Sequence, residues 1–377
     1  MKKFALVLVV LLLVASLFGC GGKKNSVNTD EDYYDEEGVR EYVSLLQDKT
    51  FANGFNVRGL KVGIYNDPIE NFTKYDSIDP NIHFDYEKGI AETPFWSLAQ
   101  WSTRYPFHDM ENSTYEIKNG QKTFNYKFTD MGNGVYHYDN QSKNVYVDTV
   151  TGEIELGLKG SECYKTDRVA GQEWPHLLIE SSKLSIPTDP TPQSRVRNSD
   201  SIIVNMDCKL NSFVDNMGDR ADPSLHSAVC MFYVFVSYKP TKSNVFTDMI
   251  WLGFTIFDNR TPFSPGMSCV DDPSSKQTAT GKWIYNIPTT HFFDMDNNLY
   301  DDSGNMLFDK WAHINIDLYP YIEMALNDAQ RGGCMVGATM KNLYINGTYF
   351  GFELPGNYDI DMSFKNFDIT SNIVVEN

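Results

Sequence analysis

After its first twenty residues the chain has no stretch that approaches the ~20 consecutive apolar residues a spanning helix needs. It is also poor in positive charge, with 32 Lys and Arg against 50 Asp and Glu over 377 residues. That balance argues against nucleic acid and against an anionic membrane surface as partners, and it disfavours a highly anionic polysaccharide. Cysteine is scarce, six in all, with no CxxC pair, and the seven His are scattered, so no cluster has zinc spacing. GxSxG, P-loop and GxGxxG motifs are absent, which removes support for nucleophile-elbow hydrolases and for nucleotide binding.

What is present begins at the first residues. Lys2 and Lys3 precede an apolar run from Phe4 to Phe18, too short to span a bilayer comfortably and fronted by basic residues like a signal peptide. The run ends in Leu17-Phe18-Gly19-Cys20, which resembles the bacterial lipobox. That resemblance implies cleavage before Cys20, a diacylglyceryl thioether on its sulfur, and acyl chains such as palmitate that hold the protein on a membrane without a transmembrane helix. The expectation is a lipid-anchored protein of the cell membrane, facing the extracellular side. Gly21 after the cysteine fits either a Gram-positive surface or an outer membrane. Residues 1–19 read as signal peptide and residues 20–48 as an acidic tether, carrying Asp30, Glu31, Asp32, Asp35, Glu36 and Glu37. Residues 40–48 offer a weak helical turn.

The remaining 49–377 read as one domain of strands. Tyr115–Lys118, Asn119-Gly120 and Gln121–Phe128 form a hairpin with a two-residue turn. Asn144–Asp148 and Glu153–Leu158 form a second, with Ile154, Leu156 and Leu158 on one face. Ile202, Val204, Met206, Cys208 and Leu210 alternate with polar neighbours, as do Tyr358, Ile360, Met362 and Phe364, so each of these strands has one wet face. Val229–Val236 and Met249–Phe257 are apolar at nearly every position and read as central strands covered on both faces. Aromatic residues make up 14% of the chain, which suits sheets. One helix is expected over Pro320–Gln330, with Pro in its first turn, an Ile322, Ala325, Leu326, Ala329 stripe and Gly332-Gly333 after it. The Pro-rich stretch Ser185–Arg197 is the best internal boundary, although similar strands lie on both sides. Removing Cys20 leaves five cysteines, an odd number, and several sit in apolar strands as small core residues.

Many short alternating strands, sequential hairpins and buried central strands point to an all-β fold, a two-sheet antiparallel β-sandwich with one inserted helix. The central strands Val229–Val236 and Met249–Phe257 and the closing strand Tyr358–Ile369 resemble the jelly roll of concanavalin A-like lectins and glucanases. That resemblance implies a concave sheet that holds sugars, their C–H faces packed on aromatic rings.

Candidate sugar platforms are Trp96 and Trp101, with Gln100 between them and Arg104 and His108 beside them. For each Trp the core is the first reading and the platform the second. The densest polar cluster is Arg168, Gln172, Glu173, Trp174, His176 and Glu180. On one strand Trp174, His176 and Glu180 share a face, a platform with an acid and a base. Glycoside hydrolysis needs a second carboxylate across the scissile bond. Asp258 and Glu155 are the candidates, because Glu173 cannot share that face with Glu180. The close-spaced ExDxE pattern of jelly-roll glucanases is absent, and Glu153-Ile154-Glu155 is its nearest approach. A lyase would recruit Arg168, His176 and Tyr238. His176 reads first as a hydrogen-bonded structural residue and only second as a catalytic one. Asp294, Asp296 and Asn298 resemble the start of a Ca²⁺ loop, but the sixth position is Leu299 and the twelfth Asn305.

The sequence therefore supports first a surface-displayed carbohydrate-binding lipoprotein, second a glycoside hydrolase or polysaccharide lyase centred on His176, Glu180 and Arg168, and third a structural surface protein.

Overall fold

The computed structural model describes residues 39–60, 81–82, 94–102, 105, 107, 115–118, 121–124, 128–182, 184, 194–271, 280–293 and 299–375. These residues hold nineteen strands, numbered in chain order, most of them in two sheets. The first sheet runs β17 (Trp311–Asp317), β12 (Ser199–Asp215), β19 (Tyr358–Val375), β10 (Glu153–Lys159), β9 (Lys143–Asp148), β8 (Val135–Asp139) and β7 (Thr129–Gly132). β1 (Val39–Ser44) also pairs with β19. The second runs β15 (Met267–Val270), β16 (Trp283–Ile287), β14 (Asp248–Asp258), β13 (Val229–Tyr238), β18 (Leu343–Glu353), β11 (His176–Ser181), β4 (Trp96–Trp101), β2 (Phe55–Leu60) and β3 (Asn81–Ile82). The hairpin β5 (Tyr115–Lys118) and β6 (Gln121–Phe124) forms a small sheet of its own.

This is the two-sheet sandwich that the alternation predicts. It is mixed rather than wholly antiparallel, because β14 pairs with β16 and β2 with β4 in parallel. A parallel neighbour cannot be joined by a tight turn, and long connections separate both pairs in the chain. Two described α-helices interrupt the strands, the one-turn α1 (Gly160–Cys163) and α2 (Tyr319–Arg331), and α2 buries Ile322, Ala325, Leu326 and Ala329, the expected stripe. It packs against β12 of one sheet and β14 and β16 of the other. No described helix is long and apolar enough to cross a membrane.

Two sequence expectations are corrected at the amino-terminal end. Val39–Ser44 is a strand rather than part of a helical turn, and Leu45 and Leu46 are buried. The folded body thus starts before residue 49. The reason is that β19 leaves an edge beyond Phe364, and β1 satisfies its backbone hydrogen bonds from Thr370 to Val375.

β19 changes phase along its length. Tyr358, Ile360, Met362 and Phe364 face the core, and after them Phe367, Ile369 and Ile373. The switch is a bulge at Asn366, which adopts the left-handed conformation at φ 53° and donates from Nδ2 to Asp207 Oδ2 at 2.6 Å. Asn tolerates that conformation better than other side-chained residues. The bulge inserts Phe367 among Trp96, Phe232 and Phe350 of the opposite sheet, with ring centroids 5.8, 5.8 and 5.1 Å away. Cys163, Cys208 and Cys230 are buried as small core residues.

Deleting the Phe367 ring leaves a cavity between the sheets, and Phe367→Ala is expected to cost about 3–5 kcal/mol. Val150→Ala on an exposed turn is expected to stay within about 0.5 kcal/mol. Denaturant unfolding of both variants checks this; equal midpoints would mean that Phe367 does not join the sheets.

Candidate functional site

The second sheet has two apolar faces. One packs on the first sheet. The other carries a separate buried cluster, Ala99, Leu178, Tyr233 and Tyr349, flanked by Trp101, Met231, Phe235, Trp251 and Ile284. The near-continuous apolar runs of β13 and β14 follow from this: one set of alternate residues fills the core and the other floors an open groove. The groove has a volume of about 390 Å³.

Strand register sets the groove in rows. One row crosses Asn286 on β16, Gly253 on β14, Tyr233 on β13, Tyr349 on β18, Glu180 on β11 and Ser97 on β4. Another joins Glu353 on β18, His176 on β11 and Trp101 on β4. At this end Trp174 stacks on His176 (5.8 Å, 19°) and Trp101 meets His176 edge-on (5.6 Å, 71°). Trp174 Nε1 donates to Glu353 Oε2 at 2.9 Å. The Trp174 carbonyl can only accept, so His176 Nδ1 donates to it at 2.8 Å. That fixes the ring so that Nε2 faces Glu353 Oε1 at 3.4 Å, an ion pair when the imidazole is protonated. At the other end Trp251 lies 6.1 Å from Phe235 and 5.9 Å from Tyr349.

Of the residues singled out in the sequence, Trp101, Trp174, His176 and Glu180 come together in the groove. Trp96 and Gln100 do not. They alternate with Trp101 on β4 and point into the core, where Trp96 is fully buried and donates from Nε1 to the Asp48 carbonyl. Gln100 is 1% exposed, and its Oε1 accepts from the Phe107 amide at 3.0 Å. Arg168 stays outside the groove, behind Trp174, with its guanidinium 4.7 Å from the indole centroid. It donates to the carbonyls of Gln172 and Leu225, both at 2.8 Å. Tyr238 lines no part of the groove either, so the Arg168, His176, Tyr238 set of a lyase is not assembled. Arg104, His108, Asp294, Asp296, Asn298 and Cys20 lie outside the described residues. Among the described residues no group of three His, Cys, Asp or Glu is placed to hold a metal.

Neither proposed second carboxylate reaches the groove. Asp258 is paired with Arg260 at 2.7 Å. Glu155 is on the outer face of the first sheet beside Asp361, and Asn144 Nδ2 donates to both, at 2.7 and 3.2 Å. The carboxylates that do line the groove with Glu180 are Glu353 and Asp271. Tyr233, Tyr349, Trp251 and Asn286 were also missed. The available signal was parity: Tyr233 shares a strand face with Met231 and Phe235, and Glu353 closes the apolar run that starts at Tyr349.

No protein-family model matches the chain, and no curated protein matches it in sequence. Among solved structures it is similar to an endoglucanase, cel12A from Rhodothermus marinus, at 11% identity and TM-score 0.33, covering 64% of this chain and 94% of that one. A family 12 xyloglucanase from Bacillus licheniformis matches at 12% identity and TM-score 0.34, covering 69% and 99%. A family 11 xylanase from Neocallimastix patriciarum matches at 8% and 0.29, covering 70% and 97%. Likeness at this level assigns this chain no activity.

The Glu155 and Asp361 pair carries a pH signature. Burial first, then the nearby Asp361 charge, pushes the Glu155 carboxyl up. Burial likewise raises Asp361, against hydrogen bonds from Asn211 and Asn144. The folded state therefore holds these protons more tightly than the unfolded one, and stability falls as pH rises from the ordinary carboxyl range through the raised values. Asp361→Asn is expected to gain stability relative to the parent chain as pH climbs through that window. A stability difference independent of pH in thermal unfolding would contradict this.

Proposed function

We propose that the groove on the second sheet binds a carbohydrate chain. The observation that carries this reading is the combination found there: about 390 Å³ of open volume over a floor of Tyr233, Tyr349, Phe235 and Trp251, with Trp101 and Trp174 at one end and hydrogen-bonding side chains in a single row. That volume lies within the usual range for small-ligand sites, roughly 300–1,000 Å³. Aromatic faces suit the C–H faces of sugar rings, and Glu180, Asn286 and the two phenols suit their hydroxyls. This reading includes display of the domain at a membrane surface through a lipid on Cys20, which follows from the lipobox-like start.

Glycoside hydrolysis is a second reading, favoured by Glu180 and Glu353 lining one groove. Their register, however, offsets the Cα atoms by four residues, about 13 Å along the strands. Glu353 also directs its carboxylate to Trp174 and His176. A retaining pair needs its carboxyl groups ~5–5.5 Å apart. The register thus argues against Glu180 and Glu353 as a retaining pair.

The test is a glycan array with the full chain, run beside a reducing-sugar assay on the same panel. Binding without product, weakened by about tenfold or more in Trp101→Ala or Trp174→Ala, is the expected outcome. Product formation abolished by Glu180→Gln would move the assignment to hydrolysis. Silence in both assays would favour a structural role and end the groove proposal.

A further inference from the structure

We infer that the groove grips its ligand at two separate aromatic stations, so that it selects an extended oligosaccharide over a mono- or disaccharide. This rests on the groove binding carbohydrate and adds the size class of the ligand.

The first station is Trp101 and Trp174 beside His176, in the row that joins β4 and β11 to Glu353 of β18. The second is Phe235 and Trp251, opposite each other on β13 and β14 with ring centroids 6.1 Å apart. All four rings are half-buried. Between the stations the floor changes. Tyr233, Tyr349 and Leu178 are buried, and the row Leu178, Gly351 and Met231 carries no ring. A sugar that packs its C–H face on an aromatic ring therefore finds accessible rings at the two ends rather than along the middle.

Strand register sets the spacing. Trp251 and Phe235 share a row with Gly347, and His176 shares one with Glu353, six residues further along β18. Six residues of strand span about 20 Å, and the three strand spacings from β14 to β11 add about 14 Å across the sheet. Trp251 and His176 thus stand roughly 24 Å apart on a diagonal, a span of several sugar rings. A chain that reaches both stations makes its second contact intramolecularly and gains avidity without any new contact. A short ligand fills one station and gains nothing from the other.

A separate observation concerns how the second station is built. The pairing of β13 with β18 shifts register just after Phe235, a bulge that leaves Gly347 opposite that ring. A Cβ on Gly347 would lie 2.4 Å from Phe235 Cδ2 and 3.0 Å from its Cε2. The missing side chain lets the ring lie over β18 beside Trp251, which is the use of a strand glycine where another group approaches closely. Gly347 is thereby a positioning residue for the second station.

Calorimetry on the full chain tests this with linear oligosaccharides of glucose, of xylose and of mannose, each from disaccharide to octasaccharide. In the series that binds, affinity is expected to rise about tenfold or more up to the length that reaches both stations, and then to level off. Trp101→Ala and Trp251→Ala should each flatten that rise. In at least one of the two variants the disaccharide should bind within about twofold of the parent chain, because the other station remains. Gly347→Ala should weaken the octasaccharide as Trp251→Ala does, and should add nothing in a Phe235→Leu background, where no ring is left to displace. Affinity independent of length would overturn the two-station inference and leave the groove reading intact. So would a disaccharide that loses as much as the octasaccharide in both Trp variants. A Gly347→Ala loss that persists in the Phe235→Leu background would overturn the positioning role. Binding of none of the three series would instead sink the groove reading itself.

Discussion

The contact on which the rest depends is Phe367 of β19 seated among Trp96, Phe232 and Phe350. One ring from the first sheet touches β4, β13 and β18 of the second, so it ties together the strands that also floor the groove. Packing at this density transmits position. The residues on the far side of those same strands, Trp101, Tyr233 and Tyr349, are held where the inner rings hold the backbone. Phe367 can face inward only because Asn366 shifts the strand's phase. The groove on one side of the sheet is thus set by a bulge in the other sheet.

The second constraint is that the second sheet is apolar on both faces while its sandwich partner covers only one. An uncovered apolar sheet face is a liability unless it is kept narrow or rimmed by polar groups. Here it is rimmed. Glu180, Glu353 and Asp271 stand around the rings, and Trp174 and His176 close one end. Glu353 shows how a carboxylate is kept in such a place: it accepts from Trp174 and faces an imidazole whose orientation the Trp174 carbonyl has already set.

Much of the architecture was legible because burial on one face leaves a period-2 trace. Ile154, Leu156 and Leu158, the β12 alternation and the α2 stripe all lie where their spacing put them. The amino-terminal edge strand was not legible. Residues 39–44 are largely exposed and polar, and only the free edge of β19 makes them a strand. The candidate site was legible in part. Trp101, Trp174, His176 and Glu180 lie together, but Trp96 and Gln100, neighbours of Trp101 in sequence, sit on the opposite face of β4. Alternation separates the two faces without saying which is core when both are apolar. Carboxylate partners were harder still, because Glu353 and Asp271 come to line the same groove as Glu180 only through sheet order.

What the sequence determined by itself is therefore local: strand and helix periodicity, the acidic balance, and the lipobox-like start that sets its expected address. What the tertiary structure decided is which apolar face became core and which became groove, and which distant acids share it. Side-chain period is a property of consecutive residues, whereas facing, register and shared electric field are set by strands brought together across hundreds of residues of chain.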